Sequence, residues 1–150
     1  MGVIDGKTIC QVALVVKDME KTTEEYAKLF GVPKPEILRV PEESVAHTQF
    51  KGMPSKTRAK LAVFNLGQVV LELTEPDEEP SSWKDFLEKN GDGIHHIAFM
   101  TDDRDAAVKY FEENDMPIRH YGEYEGGNYT VFDSKEKLGT FVQVKYEPKK

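Results

Sequence analysis

The chain repeats itself. Ile9-Cys10-Gln11-Val12-Ala13-Leu14 recurs 85 positions on as Ile94-His95-His96-Ile97-Ala98-Phe99. At the same spacing Asp18 falls on Asp103, and Glu25-Tyr26 on Tyr110-Phe111. Val63-Phe64 meets Val131-Phe132 at a shift of 68, and Leu71-Glu72-Leu73 meets Val142-Gln143-Val144 at 71, because the second copy has the longer turn. A duplication restricts the fold more than composition does. Each half must be the same supersecondary unit, and half of a 150-residue chain cannot close a core alone.

The elements follow the same order twice. Ile9 to Val16 is a β-rich run, and Met19 to Phe30 has helical spacing that stops at Gly31, Pro33 and Pro35. Ile37 to Val40 and Ser44 to Phe50 read as strands, with Gly52, Pro54 and Ser55 marking a loop. Ala59 to Leu66 and Gln68 to Thr74 read as strands around a tight turn. A polar connector, Glu75 to Ser82, leads to a short helix over Trp83 to Lys89 with Ser81 or Ser82 as cap. Asn90 to Gly93 is a turn. Ile94 to Thr101 is then a strand, Asp103 to Asn114 a helix and Pro117 to His120 the start of a strand. Glu123 to Asn128 reads as a loop, and Tyr129 to Asp133 and Thr140 to Tyr146 as strands separated by the turn 134–139. The expected fold is α+β: two paired βαβββ modules forming a curved mixed-sheet cup. Residues 1–150 make one domain, with module 1 over about 8–76, a linker and short helix over 77–92, and module 2 over about 93–147. Four strands and one helix leave a sheet face bare, so the halves must cover each other and enclose a cleft, where a ligand belongs.

Twenty Lys and Arg against 27 Asp and Glu give a formal charge of −7, which disfavours nucleic acid and anionic membranes as partners. The lone Cys10 excludes an intramolecular disulfide framework, and the default compartment is a reducing cytosol. The N-terminus has no secretory pattern, and Gly6 stands where a myristoylation signal needs Ser or Thr. No apolar stretch approaches the roughly 20 residues of a membrane span. Lys149 and Lys150 are too short a basic tail to carry a function. Phosphate-binding GxxxxGK[ST] and GxGxxG loops are absent.

The repeat pairs four polar positions. Gln11 corresponds to His96 in the first strand of each half, each followed by a small Ala. Glu72 corresponds to Gln143 in the last strand, each between apolar neighbours. Alternation puts Gln11 with Ala13 and Val15, and His96 with Ala98 and Met100, on one face, with Cys10 opposite on the helix side. Any one such residue is alternatively an exposed side chain on a half-solvated sheet, and of two adjacent histidines one commonly packs while the other meets solvent. Four together, buried at equivalent places, need pairing or a metal. One His nitrogen and three oxygens suit Mn, Co, Ni, Zn or Fe better than Mg.

The stretches VALVVKDMEKTTEEYAKLFGV (12–32), LAVFNLGQVVLELTEP (61–76), FLEKNGDGIHHIAFMTDD (86–103) and LGTFVQV (138–144) resemble the vicinal oxygen chelate (glyoxalase I, bleomycin resistance, dioxygenase) superfamily. Within it the likeness is to methylmalonyl-CoA epimerase and glyoxalase I. The resemblance implies one divalent metal ion (Zn, Ni, Co or Mn) held by Gln11, Glu72, His96 and Gln143, and a homodimer. Two departures stand out. Gln11 replaces the His usual in the epimerases, and Gln143 replaces the Glu usual in both families. Gln143 cannot serve as the proton-transfer base that the last Glu provides in glyoxalase I. Gln11 also breaks the two-His, one-carboxylate set of an iron dioxygenase.

The expected function is a divalent-metal-dependent isomerase, epimerase or lyase acting on a small molecule. It would move a proton α to a carbonyl through a stabilised enolate or enediolate, with Glu72 as base. His47, His120, Tyr121, Glu123 and Tyr124 are reserve acid–base candidates at the edge of the cleft. The alternative is a non-catalytic, drug-sequestering binding protein whose cup is lined by Phe50, Phe64, Phe99, Tyr129 and Phe141, residues that could equally be plain core.

Overall fold

The computed structural model describes residues 2–148, so Met1, Lys149 and Lys150 lie outside the described residues. The elements run β1 (Gln11–Val15), α1 (Met19–Phe30), β2 (Leu38–Arg39), α2 (Glu43–Ala46), β3 (Gln49–Phe50), β4 (Met53–Pro54), β5 (Lys60–Asn65) and β6 (Val70–Glu75). They continue with α3 (Ser82–Asn90), β7 (Gly93–Thr101), α4 (Arg104–Glu113), β8 (Ile118–Tyr124), β9 (Gly127–Phe132), α5 (Lys135–Leu138) and β10 (Phe141–Tyr146). No helix among them is long and apolar enough to cross a membrane.

The long helices start alike in both halves. The Asp18 carboxylate accepts the amide of Lys21, and the Asp103 carboxylate accepts that of Ala106. These caps satisfy N–H groups that a first helical turn leaves unpaired. The buried stripe of α1, Met19, Thr23 and Ala27, packs on Phe64, Leu71 and Leu73. That of α4, Ala107 and Phe111, packs on Phe132, Val142 and Val144. Each helix therefore covers the outer face of its own half.

All ten strands form one mixed sheet in the order β2-β5-β6-β1-β7-β10-β9-β8-β3-β4, curled into a half-barrel. Outward from its centre, each half repeats the same sequence of strands: β1, β6, β5, β2 on one side and β7, β10, β9, β8 on the other. β6 runs parallel to β1, as β10 does to β7, while the seam between β1 and β7 is antiparallel. The halves thus join edge to edge and curl toward each other. Their shared inner core gathers Val15, Val131 and Phe141 from the sheet with Trp83 and Phe86 from α3.

Across the seam Gln11 stands opposite Ala98, and Ala13 opposite His96. Each long polar side chain thus faces a methyl, so both can rise on the concave face. Beside Ala13 the register slips from His96 to Ile94, leaving His95 unpaired in a β-bulge.

Three expectations are corrected. Ser44 to Phe50 is not one strand: α2 ends at His47, whose φ of 49° is left-handed, and only Gln49–Phe50 pairs. The hairpin β3–β4 then leaves its own half to pair with β8 of the other. The segment 123–128 is a tight hairpin rather than a loop, and the turn 134–139 contains α5.

Candidate active site

Four adjacent strands, β6, β1, β7 and β10, each supply one side chain to the concave floor. Glu72 lies beside Ala13, and Gln143 beside Ala98. Together with the seam pairs, this clusters Gln11, Glu72, His96 and Gln143 around two alanines that are essentially inaccessible. The structure brings all four predicted residues together, with Gln11 as hub. Its Nε2 donates to Glu72 Oε2 at 3.1 Å, and its Oε1 lies 2.9 Å from His96 Nε2 and accepts Gln143 Nε2 at 3.0 Å. Thr74 Oγ1 donates to the other Glu72 oxygen at 3.4 Å.

Gln11, His96 and Gln143 are buried, while Glu72 opens into a pocket of about 160 Å³. Trp83, Leu61, Val40 and Tyr129 wall this pocket, and Glu123, Tyr124 and Lys145 complete its lining. Burial raises the Glu72 pKa above the usual carboxylate range, against the pull of the Lys145 charge and of hydrogen bonds from Thr74 and Gln11. Burial also drives His96 down to about 3, helped by His120 and Lys145, so the ring is neutral at pH 7. Removing Glu72 from water without an ion-pair partner is costly, since both its hydrogen-bond donors are neutral. The donor set of one imidazole, one carboxylate and two carboxamides therefore fits a bound cation. Among the described residues no three His, Cys, Asp or Glu side chains group as metal ligands, and the floor offers only His96 and Glu72 of those types beside the amides of Gln11 and Gln143.

Behind the floor lies a second polar layer. The bulge turns His95 inward beside His96, with Nδ1 facing Nδ1 at 2.7 Å and both rings about 1% exposed. His95 Nε2 lies 2.8 Å from Ser82 Oγ, at the start of α3. Arg119 donates to the same oxygen at 3.3 Å and pairs with Asp85. Burial, together with the charges of His96, His120 and Arg119, holds His95 well below its ordinary pKa.

The reserve candidates separate. His120 is buried rather than at the rim, its ring 4.4 Å from that of Trp83, and burial takes it to about 3. It accepts the Ser82 amide on Nδ1, while its Nε2 and the Trp83 indole nitrogen have no hydrogen-bond partner among the described residues. His47, Tyr121 and Glu123 do form a rim network, with His47 Nδ1 2.9 Å and the Tyr121 hydroxyl 2.8 Å from the Glu123 carboxylate. Tyr121 is pushed up to about 12 by burial and by that bond. Of the aromatic residues expected to line the cup, Tyr129 and Phe141 face inward, and Phe50 packs near His120. Phe64 and Phe99 instead lie under the outer helices, Phe99 alternating with His96 and Ala98.

Residues 10–132 match the sequence profile of the Glyoxalase/Bleomycin resistance protein/Dioxygenase superfamily. The chain belongs to this superfamily.

A mitochondrial methylmalonyl-CoA epimerase of Mus musculus is 31% identical over 98 residues, which cover 65% of this chain and 47% of the mouse protein. The match therefore spans about half of that relative's length. Among solved structures, a Streptomyces coelicolor methylmalonyl-CoA epimerase variant in complex with 2-nitronate-propionyl-CoA superposes with a TM-score of 0.62. Its identity is 24%, over 93% of this chain and 96% of that one. The Mycobacterium tuberculosis methylmalonyl-CoA epimerase gives a TM-score of 0.64 at 18% identity, over 100% and 92% of the two chains. Sequence reasoning missed the buried Ser82–His95 layer. The adjacent histidines were its visible signal, but the bulge that turns both inward depends on the pairing of β7 with β1.

Proposed function

We infer that the chain is an isomerase of the epimerase type, moving a proton on the carbon α to a carbonyl of a small acyl compound, with an acyl thioester as the favoured class. The observation that carries this reading is the convergence of Gln11, Glu72, His96 and Gln143 on the floor of a pocket whose single floor acid is Glu72. The epimerase relatives supply the substrate class. The pocket matches an acyl head in size, leaving a longer carrier to run outward over the rim.

These four side chains would hold one divalent ion, which when bound supplies positive charge to a carbonyl oxygen as it gains enolate character. The chain's own residues do the rest. Glu72, released from Gln11, takes the proton from one face of the α carbon, and a proton delivered to the opposite face, by water or by the rim carboxyl of Glu123, completes the inversion. The raised pKa of Glu72 brings it nearer the basicity such a transfer needs. Thr74 holds the second carboxylate oxygen, so the free one faces the pocket. Trp83, Leu61 and Tyr129 keep bulk water from the reacting carbon.

Elemental mass spectrometry of the purified protein beside His96→Ala tests the site. About one divalent ion per chain, lost in the variant, is expected. Solvent-deuterium incorporation into a 2-substituted acyl thioester then tests the chemistry. A second reading, a non-catalytic binding protein, is favoured by one observation: Gln143 removes a charge from the floor, while the pocket wall stays apolar. Absence of metal after soaking with Zn, Ni, Co and Mn, together with retained ligand binding, would establish that reading instead.

A further inference from the structure

Strand β10 carries one charged side chain into the cup. Phe141, Gln143 and Lys145 alternate inward, while Val142 and Val144 pack under α4. The duplication sets Lys145 at the place of Thr74, two residues beyond the floor position in each half. The halves use that place differently. Thr74 turns back and donates to Glu72. Gln143 instead gives its amide to Gln11, and Lys145 is left facing the pocket.

Lys145 stands beside Tyr129 of β9, and its Nζ lies 5.1 Å over the Tyr124 ring. All three line the pocket that Glu72 floors, and Lys145 is the single cation in that lining. Among the described residues its ammonium makes no ion pair, in a chain with 27 acidic side chains against 20 basic ones. The acids beside Tyr124 are already engaged: Glu123 by His47 and Tyr121, and Glu147 by the Tyr124 hydroxyl. A half-buried ammonium over an aromatic ring gains a cation–π contact but keeps N–H donors to offer. An oxyanion reaching them from within an apolar wall makes a charge-assisted hydrogen bond, stronger there than in water.

The pocket holds about 160 Å³, so an anion on Lys145 and the carbon facing Glu72 belong to one small acyl head. A single cation matches a carboxylate better than a phosphate, which carries about −1.5 to −2 charge. We propose that Lys145 is a specificity-determining residue whose ammonium receives a carboxylate carried on the reacting carbon. The pocket then prefers acyl heads bearing that carboxylate to plain branched ones. This role rests on the acyl-thioester reading of the pocket given above.

Trp83, the one tryptophan of the chain, walls the same pocket, so its fluorescence reports binding without turnover. The probes are the dimethylmalonyl and pivaloyl thioesters of coenzyme A. They differ only in a carboxylate against a methyl group on the α carbon, and neither has an α hydrogen to lose. Wild type is expected to bind the dimethylmalonyl probe about 10- to 100-fold more tightly. Lys145→Met should weaken that probe alone and bring the two affinities together, its unchanged pivaloyl binding showing an intact pocket. Lys145→Arg, which keeps the charge, should keep most of the preference. Equal affinity for both probes in the wild type would overturn the role of Lys145, and so would a preference undiminished in Lys145→Met. Either result leaves the acyl-thioester reading standing. Failure of both probes to bind the wild type would overturn that reading, and the role of Lys145 with it.

Discussion

At the scale of single residues the site turns on how one carboxylate is kept ready. Glu72 is pulled in two directions. Burial raises its pKa, while Lys145, two residues beyond Gln143 and on the same face, lowers it. Lys145 Nζ lies 5.1 Å over the Tyr124 ring, so its charge is held near the pocket. Removing a nearby positive charge disfavours the ionised acid. Lys145→Met should therefore shift the ascending limb of the pH profile of kcat/KM to higher pH, because the base form then appears later as pH rises. An unmoved limb in that variant would mean that another group titrates. Glu72→Gln preserves shape and the contact with Gln11 but cannot take a proton. It should lower turnover by about 10² to 10⁴-fold while circular dichroism stays that of the wild type. Full deuterium exchange in Glu72→Gln would remove Glu72 from the role of base.

At the scale of elements, what was legible in the sequence is what the duplication states twice. α1 spans Met19–Phe30 as its spacing requires, and the Asp caps sit 85 residues apart like the strands before them. The floor set was legible for the same reason, since Gln11 and His96, and Glu72 and Gln143, are positional pairs. The region 33–58 has no second copy, and there reading failed. Its two-residue strands have too little length to show a period and exist because other strands offer an edge: β5 to β2, and β8 to β3 of the β3–β4 hairpin. His95 escaped because alternation breaks at a bulge, and a bulge is a property of two strands. Gly122 is a similar case. It pairs with Tyr129 across β8 and β9, and the tyrosine ring lies so close over it that an added Cβ would strike the hydroxyl and ring carbons. Gly122→Ala should displace Tyr129 from the pocket wall and cost about 1–3 kcal/mol. Chemical denaturation measures the cost, and a near-neutral variant would show that the ring is free to move.

At the scale of the whole molecule, the polar atoms that the two halves share are also what sets its acid tolerance. His95 and His96 belong to the central seam, and His120 reaches the same interior from β8, all three about 1% exposed. His96 and His120 are held near 3 against an ordinary 6.5, and burial is the leading cause for both. Between those values the unfolded chain binds protons that the folded chain refuses, so stability is full above about pH 6.5 and falls as pH drops toward 3. Glu72, raised above 4.5, acts oppositely: its contribution is full at low pH and is lost as pH rises through its folded value. It is one group against several imidazoles, so the loss on acidification dominates. From pH 7.5 to 5.0 each fully buried histidine should cost about 2 kcal/mol. His120 donates nothing to the floor, which makes it the clean probe. Urea unfolding at the two pH values, followed by circular dichroism and by fluorescence of Trp83 beside His120, should show His120→Leu losing about 2 kcal/mol less than wild type. Because the inner core joins both halves through Trp83, the two signals should also coincide. Separate transitions would mean that the halves unfold independently and that the seam does not couple them. An equal acid loss in His120→Leu would place the pH dependence in other groups.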